Sequence, residues 1–218
     1  MGQDWSAHLE RQEQRYRDGE ERLPDDPDER QRQLTRMGNA AWAAGLSLLM
    51  AGRADDARGW LLRAAGRYRE SWPDAPPGSW GRPIGAMKAR LIAGDLEGAG
   101  EDARWALEAG AARSESPIGS YAAVLAHLVL GDDAEAAELA RTLQGRDDFP
   151  QPVASTIAAL SVRDTVGYEA AIRVLLADFE GRDEFLEDIA VADTVLALQV
   201  LGEARGLTVL FASPLLPA

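Results

Sequence analysis

The sequence predicts an all-α fold of stacked antiparallel helical hairpins, and three observations predict it. Apolar residues recur at steps of three and four along almost every segment, as they do on one face of a helix. Pairs of such segments are separated by very short turns, for example at residues 94–95 and 131–133. Alanine and glycine stand where the two helices of a hairpin must approach closely. A short extended tail, residues 206–218, is expected after the last helix.

The N-terminal residues 1–23 predict an amphipathic helix. Trp5, Leu9 and Tyr16 are spaced so that they share one face of it. These apolar side chains must be shielded from water by packing against another surface. Either the helix folds back on the first hairpin, or it associates with another copy of the protein and makes a homo-oligomer.

A second helix is expected from Pro27 to about Met50, after the break in LPDDPDER. Asp26 can cap this helix, Pro27 suits its first turn, and Glu29 completes a capping box. Residues 27–179 are then expected to form helical hairpins within one domain, 1–218. Their further helices are predicted at about 55–71, 83–93, 96–109, 117–130, 133–144, 150–162 and 165–179.

A final helix is predicted at residues 183–205, because Gly206 is a suitable C-cap glycine. The tail beyond it is rich in β-branched and apolar residues and could contain one short strand. The longest loop rich in proline and glycine is WPDAPPGSWGRP, which begins at Trp72.

The small residues follow a repeating pattern. Aligning the tight turns on Gly52, Gly94, Gly131 and approximately Val166 gives spacings of 42, 37 and 35 residues. Five residues after each aligned position stands an alanine, at Ala57, Ala99, Ala136 and Ala171. Two helices joined by a short turn can approach closely where a side chain is this small.

Residues 45–64, GLSLLMAGRADDARGWLLRA, resemble one tetratricopeptide-type unit, and weaker copies extend to residue 179. The spacing lies near the repeat length of about 34 residues of that family. The second and third copies depart from the pattern, with Met87 and Val124 where the first has Gly45. The resemblance implies a right-handed stack whose first helices line a concave face. Residues expected on that face are Trp42, Leu46, Lys88, Leu91, Tyr121 and Leu125. An ordinary helical bundle is the alternative.

The C-terminal stretch ARGLTVLFASPLLPA, after irregular hairpins in an acidic, bacterial-looking chain, is similar to a tetratricopeptide-like family of immunity proteins from polymorphic-toxin systems. The matching residues are 204–206 and 213–217. Members of such families bind and neutralise a cognate toxin, so the resemblance implies a protein partner.

The net charge of −13 bears on the partner, because phosphates on nucleic acid or anionic lipid would be repelled. A basic protein is the natural complement, and a solubility surface or a saline cytoplasm is the other explanation of the acidity. The chain has no cysteine, so thiolate metal sites are excluded. It shows neither a signal peptide nor an apolar run of about 18 residues, which predicts a cytoplasmic location.

No catalytic, cofactor-binding or metal-ligating residue is expected. His8 and His127 are far apart in the sequence, and the acidic runs stand at helix starts, where they complement the helix dipole. No serine has a flanking nucleophile elbow, and no phosphate-binding loop follows a strand pattern.

The expected function is therefore non-enzymatic protein binding, with occlusion of a basic toxin as its most specific form. Two alternatives are a small-molecule-binding protein or enzyme with a pocket near Trp72–Trp80, and an oligomeric structural subunit. Residues expected to contact a partner are Trp42, Trp72, Trp80, Lys88 and Tyr121, since interface anchors are often aromatic. For Trp72 and Trp80 the alternative is that they pin the proline-rich loop to the helices.

Overall fold

A computed structural model describes residues 3–217, and this part of the chain is all-α, with ten α-helices and no strand. The helices are α1 Trp5–Glu21, α2 Pro27–Met50, α3 Ala54–Glu70, α4 Gly81–Ile92, α5 Leu96–Glu108, α6 Pro117–Leu130, α7 Asp133–Leu143, α8 Gln151–Ser161, α9 Thr165–Glu180 and α10 Asp193–Glu203. Short 3-10 turns occur at Ala111–Arg113 and Leu186–Asp188. The first two residues of the predicted N-terminal helix and the last residue of the predicted tail lie outside the described range.

Side-chain caps determine where several helices begin. Asp26 accepts a hydrogen bond from the backbone N–H of Glu29 at 2.9 Å, and α2 begins at Pro27 as its sequence predicts. Ser116 caps α6 in the same way. No helix among residues 3–217 is both long and apolar enough to span a bilayer.

The hairpin turns depend on residues in the left-handed region. Gly52, Gly94 and Gly131 have φ of +73°, +69° and +83°. In the fourth hairpin this position is held by Arg163, with φ of +54°, so the alignment on Val166 is wrong by three residues. Five residues beyond Arg163 stands the buried Tyr168 instead of an alanine, and the last hairpin is therefore not held by small residues alone.

Close helix approach explains the small residues of the first hairpin. A Cβ atom added to Gly45 would lie 2.7 Å from Leu61 Cγ of α3, closer than packed carbons allow. A Cβ on Gly38 would lie 2.8 Å from the ring of Tyr68. At these two positions of the α2–α3 hairpin, a residue larger than glycine would displace a neighbouring side chain.

The apolar face of α1 is covered in part by its own chain, while Trp5 and Leu9 remain half-buried. Tyr16 is buried, its ring meets Trp60 edge-on at 5.3 Å, and its hydroxyl accepts a hydrogen bond from Arg67 Nε at 2.9 Å. Helix α1 therefore folds back on α2 and α3, the first of the two arrangements that the sequence allowed.

The predicted final helix at 183–205 is corrected by the structure, in which α10 begins only at Asp193. Residues 181–192, hereafter the strap, are extended apart from the 3-10 turn, with positive φ at Glu187 and Asp188. Ile189 and Val191 are both buried against α2. An extended backbone places such alternate residues on one side, whereas a helix would turn one of them away.

The tail is extended, but it is anchored. The N–H of Ala192 donates to the carbonyl of Leu215 at 2.9 Å, and Leu207 and Leu216 are buried. Helix α10 itself packs against α4, α8 and α9, and the turn of the strap packs against α2. The first helices α2, α4 and α8 are thus in contact with the C-terminal part of the same chain.

Candidate functional site

A cavity of about 420 Å³ lies between α2, α4 and the strap. Its size is that of a small-molecule site. Aromatic and aliphatic side chains form much of its wall, and polar groups are gathered around the start of α4. The lining residues are Thr35, Asn39, Trp42, Tyr68, Ser79, Gly81, Arg82, Ile84, Gly85, Lys88, Leu186 and Asp193.

Arg82 is the unusual residue of this cavity. It is only 8 % exposed, yet it forms no salt bridge within residues 3–217. Its Nε donates to Thr35 Oγ1 at 3.2 Å, and its Nη2 donates to the side-chain oxygen of Gln31. Its Nη1 is buried without any hydrogen-bond partner in the described protein. Burial lowers the pKa of Arg82, and no carboxylate among residues 3–217 pairs with its guanidinium.

The N-terminus of α4 adds positive potential at the same place. Helix α4 begins at Gly81 with no side-chain cap and no acidic residue in its first turn. Helix α2, in contrast, has the cap of Asp26 and two acids in its first turn. The backbone N–H of Arg82 is bonded to the Ser79 carbonyl at 3.1 Å and Pro83 has no N–H, so the dipole of α4, and not a set of open N–H groups, adds positive potential beside the Arg82 guanidinium.

Lys88 joins α4 to the C-terminal segment. Its ammonium donates to Asp193 Oδ2 at 2.6 Å and to Thr194 Oγ1 at 2.9 Å, and it lies 5.6 Å from the centre of the Trp42 ring. Asp193 therefore neutralises Lys88, and the positive charge of Arg82 remains uncompensated in the cavity.

The strap over the cavity is held from both sides. Leu186 of the strap lines the cavity although its side chain is 57 % exposed. On the opposite side, Glu187 forms an ion pair with Arg15 of α1, and Gln3 Nε2 donates to the carbonyl of Asp188 at 2.9 Å. The position of this wall thus depends on α1 as well as on α4.

The hydroxyls of the cavity are occupied by hydrogen bonds to neutral acceptors. Ser79 donates to the Pro76 carbonyl at 2.7 Å, Thr35 donates to the Gln31 carbonyl at 2.9 Å, and Tyr68 donates to Asn39 Oδ1 at 2.9 Å. Burial raises the pKa of Tyr68. None of these three hydroxyls is hydrogen-bonded to a side chain that could act as a base.

Two of the five predicted contact residues, Trp42 and Lys88, come together in the cavity. Trp72 and Trp80 pack on each other with ring centres 5.5 Å apart. Tyr121 packs against Phe149 at 5.6 Å.

The pocket expected near Trp72–Trp80 is thus displaced from that aromatic pair. Trp72 also contacts Trp105 edge-on at 5.5 Å, and Trp80 is buried in the core. The neighbours of Trp80 in the chain, Ser79 and Gly81, do line the cavity. The loop therefore contributes backbone and a hydroxyl to the site, while its tryptophans pin the loop to the helices.

Sequence analysis missed Arg82 and Asn39. A signal for Arg82 does exist: residues 75–94 contain no acid, although the chain has 36 of them, and they include Arg82, Lys88 and Arg90. Asn39 has no comparable signal, because its position opposite Tyr68 depends on the packing of α2 against α3.

The histidines lie apart from the cavity. His127 Nδ1 is 3.3 Å from Asp132 Oδ2, and His8 is beside Arg11 in α1. Burial lowers the pKa of His8. Among residues 3–217, no group of three histidine or acidic side chains is arranged to hold a metal ion.

No family model, curated protein or solved structure matches this chain. Roles for its residues therefore come from its own geometry. In the described residues, Arg82, whose Nη1 has no hydrogen-bond partner, lines the cavity together with apolar side chains.

Proposed function

We propose that the protein is a non-enzymatic binding module and that the cavity between α2, α4 and the strap is its ligand site. The observation that carries this proposal is Arg82, a buried guanidinium with an unmet donor at the edge of a cavity of about 420 Å³. An uncompensated buried charge lowers the stability of the folded protein. A bound ligand that pairs with this charge would recover part of the lost free energy, so the buried charge can serve ligand binding.

A small ligand fits this frame better than a peptide laid along the first helices. Helix α10 packs against α4 and α8, and Arg205 just beyond it donates to the carbonyl of Leu128 at 2.6 Å. A peptide on that face would have to displace these contacts. The cavity, in contrast, needs no displacement to accept a small molecule.

Filling the cavity tests this proposal. A panel of aromatic fragments is screened against the wild-type protein by ligand-observed NMR, and the hits are repeated on Ser79→Trp and Ser79→Ala. Ser79 is half-buried and contacts only its own loop through its hydroxyl, so the indole should occupy the cavity mouth without breaking the core.

We expect fragments that bind the wild type and Ser79→Ala but lose binding to Ser79→Trp. Circular dichroism and the unfolding midpoint confirm that both variants are folded. Fragments that bind all three proteins equally would contradict the proposed site, and a wild type that binds none would contradict the proposed function.

A second candidate is protein binding by a tetratricopeptide-like stack, with neutralisation of a basic toxin as its specific form. The exposed acids of α5 and α7 support it. Leu96, 57 % exposed, is followed by the exposed Glu97 and Glu101, and Glu135 and Glu138 are exposed on α7. Apolar contact surrounded by negative charge suits a basic partner, because complementary charge speeds association and sets specificity.

Co-elution with the product of the neighbouring gene tests this second candidate, which also assumes a cytoplasmic bacterial protein. We expect a complex that weakens as salt is raised. No complex at micromolar concentration would contradict it. A third role, as a structural subunit, predicts a stable multimer in light scattering, and a monomer would contradict that role.

A further inference from the structure

We propose that the ligand of the cavity is a small molecule with one anionic group, a carboxylate or a phosphate, attached to a flat apolar body. This inference rests on the proposed ligand-binding function and names the chemistry of the ligand. The anionic group would meet Arg82 at the start of α4, and the apolar body would lie against Trp42, Tyr68 and Ile84.

The charge of the ligand follows from how the protein treats its other shielded arginines. Arg205 is bound to Asp133 at 2.6 Å, and Arg90 is bound to Asp102 at 2.7 Å and to Asp95 at 2.5 Å. Arg82 is the buried arginine for which the described chain provides neutral acceptors alone. An anion in the cavity would balance the guanidinium charge, for which the described chain supplies no carboxylate.

The surroundings of Arg82 favour an anionic group at the start of α4. The uncapped start of α4 lies at the same end of the cavity, and Lys88 adds a second cation that Asp193 balances. The cavity thus holds two cations and one carboxylate. This positive site lies in a protein of net charge −13, so the charge of the cavity is local and not a property of the whole surface.

The apolar body is inferred from the opposite wall. Trp42 is 4 % exposed and Tyr68 is 6 % exposed, and each presents part of its ring to the cavity beside Ile84. Burying an apolar ring against these side chains supplies affinity that a free inorganic ion would lack. A ligand with both parts therefore matches the two ends of the cavity.

Three probes separate the parts of this inference: phenylacetate, its neutral amide phenylacetamide, and inorganic phosphate. Dissociation constants are measured on the full chain by NMR titration at low and at physiological salt. Phenyl phosphate replaces phenylacetate in a further arm, which distinguishes a phosphate preference from a carboxylate preference. We expect phenylacetate or phenyl phosphate to bind at least about ten-fold tighter than phenylacetamide, the size of one charge-assisted hydrogen bond. Inorganic phosphate should bind more weakly than either.

Two substitutions of Arg82 test its role. Arg82→Gln removes the charge and should bring the preference for phenylacetate over phenylacetamide to within about two-fold. Arg82→Lys keeps a charge and should retain part of the preference. Arg104→Gln is the control, since Arg104 is exposed on α5 and does not line the cavity, and it should leave the preference unchanged.

Each outcome decides between the two proposals. Equal binding of phenylacetate and phenylacetamide to the wild type would overturn the anionic ligand and leave the binding module intact, with no variant needed. A preference that Arg82→Gln leaves unchanged would overturn the role of Arg82. Failure of every probe to bind the wild type would overturn both proposals, and a folded Arg82→Gln that loses only the preference would support both.

Discussion

Two places in the described fold each hold an arginine out of solvent, and they treat it in opposite ways. At the α6–α10 end, Arg205 donates to Asp133 at 2.6 Å and to the carbonyls of Leu128 and Leu201 at 2.6 and 3.0 Å. At the α2–α4 end, Arg82 has two neutral acceptors and one unmet donor. The hydrogen bonds of Arg205 join the end of α10 to α6, whereas Arg82 lines a cavity.

The difference teaches that burial alone does not assign a role to an arginine. A guanidinium whose donors are met by the chain stabilises packing, and removing it leaves a carboxylate behind. A guanidinium whose donor is unmet has capacity left for a ligand. Substituting Arg205 and substituting Arg82 should therefore change the free energy of unfolding by different amounts.

The largest effect is expected for Arg205→Met. The substitution leaves Asp133 with Arg163 as its remaining ion-pair partner and two carbonyls with one bond fewer. We expect a loss of about 2–4 kcal/mol in the free energy of unfolding, because charged hydrogen bonds are lost while Arg163 still pairs with Asp133. Denaturant unfolding followed by circular dichroism measures it. A loss below about 1 kcal/mol would show that Arg205 does not stabilise the packing, and would contradict the contrast with Arg82.

The next largest effect on the free energy of unfolding is expected from the close packing of α2 against α3. Gly45→Ala places a Cβ 2.7 Å from Leu61 Cγ and 3.3 Å from the Leu61 backbone nitrogen. We expect a loss of about 1–3 kcal/mol, as for other overpacked sites. The control is Gly66→Ala in α3, where a Cβ meets nothing within 4 Å. It should stabilise the protein by about 0.5–1 kcal/mol, because alanine suits a helix better than glycine. The same sign for both variants would contradict close approach at Gly45.

A smaller effect is expected from pH, through Asp133. Burial opposes ionisation of this carboxyl, but hydrogen bonds from Arg205 and Arg163 outweigh burial and hold its pKa below the usual range. A lowered folded-state pKa contributes stability above the unfolded-state value of about 3.9, and this contribution is lost as pH falls through the folded-state value. Asp133→Asn should therefore show a smaller loss of unfolding free energy between neutral and acidic pH than the wild type. An equal loss in both proteins would contradict this assignment.

Asp102 provides a comparison, because its pKa is shifted in the opposite direction to that of Asp133. Burial raises the pKa of this carboxyl, although Arg90 and Arg69 oppose the rise. Its contribution to stability therefore decreases as pH rises from about 3.9 toward its folded-state pKa. Asp102→Asn should remove that decrease, which the same unfolding measurements at stepped pH would detect. An unchanged pH profile would show that burial does not control this group.

The smallest change in stability is expected for Arg82→Met. Loss of two hydrogen bonds destabilises the fold, and removal of a buried charge without a carboxylate offsets that loss. We expect the free energy of unfolding to change by less than about 1 kcal/mol. A loss as large as that of Arg205→Met would make Arg82 a structural residue and would break the comparison.

Much of the fold could be predicted from the sequence, because helices are local structures. The periodic apolar residues, the cap at Asp26 and the turn glycines each act within a few residues of their own position. The strap could not be predicted this way. Its apolar spacing is compatible with a helix, and the burial of Ile189 and Val191 depends on α2, more than 130 residues away.

The candidate site could be predicted only in part, for the same reason. Trp42 and Lys88 were expected to share a face, and the structure places the Lys88 ammonium 5.6 Å from the centre of the Trp42 ring. The unmet donor of Arg82 depends on which residues of α2 pack against α4. Trp72 and Trp80 were expected either to pin their loop or to meet a partner, and their rings pack on each other and on Trp105.

The most direct measurement follows the arginine side chains by NMR in protein with isotope-labelled arginine, with assignment by Arg82→Lys and Arg205→Met. On titration with phenylacetate, the account predicts that the guanidinium resonances of Arg82 shift to saturation while those of Arg205 stay in place. Unchanged Arg82 resonances at saturating phenylacetate, or equal shifts of both arginines, would contradict it.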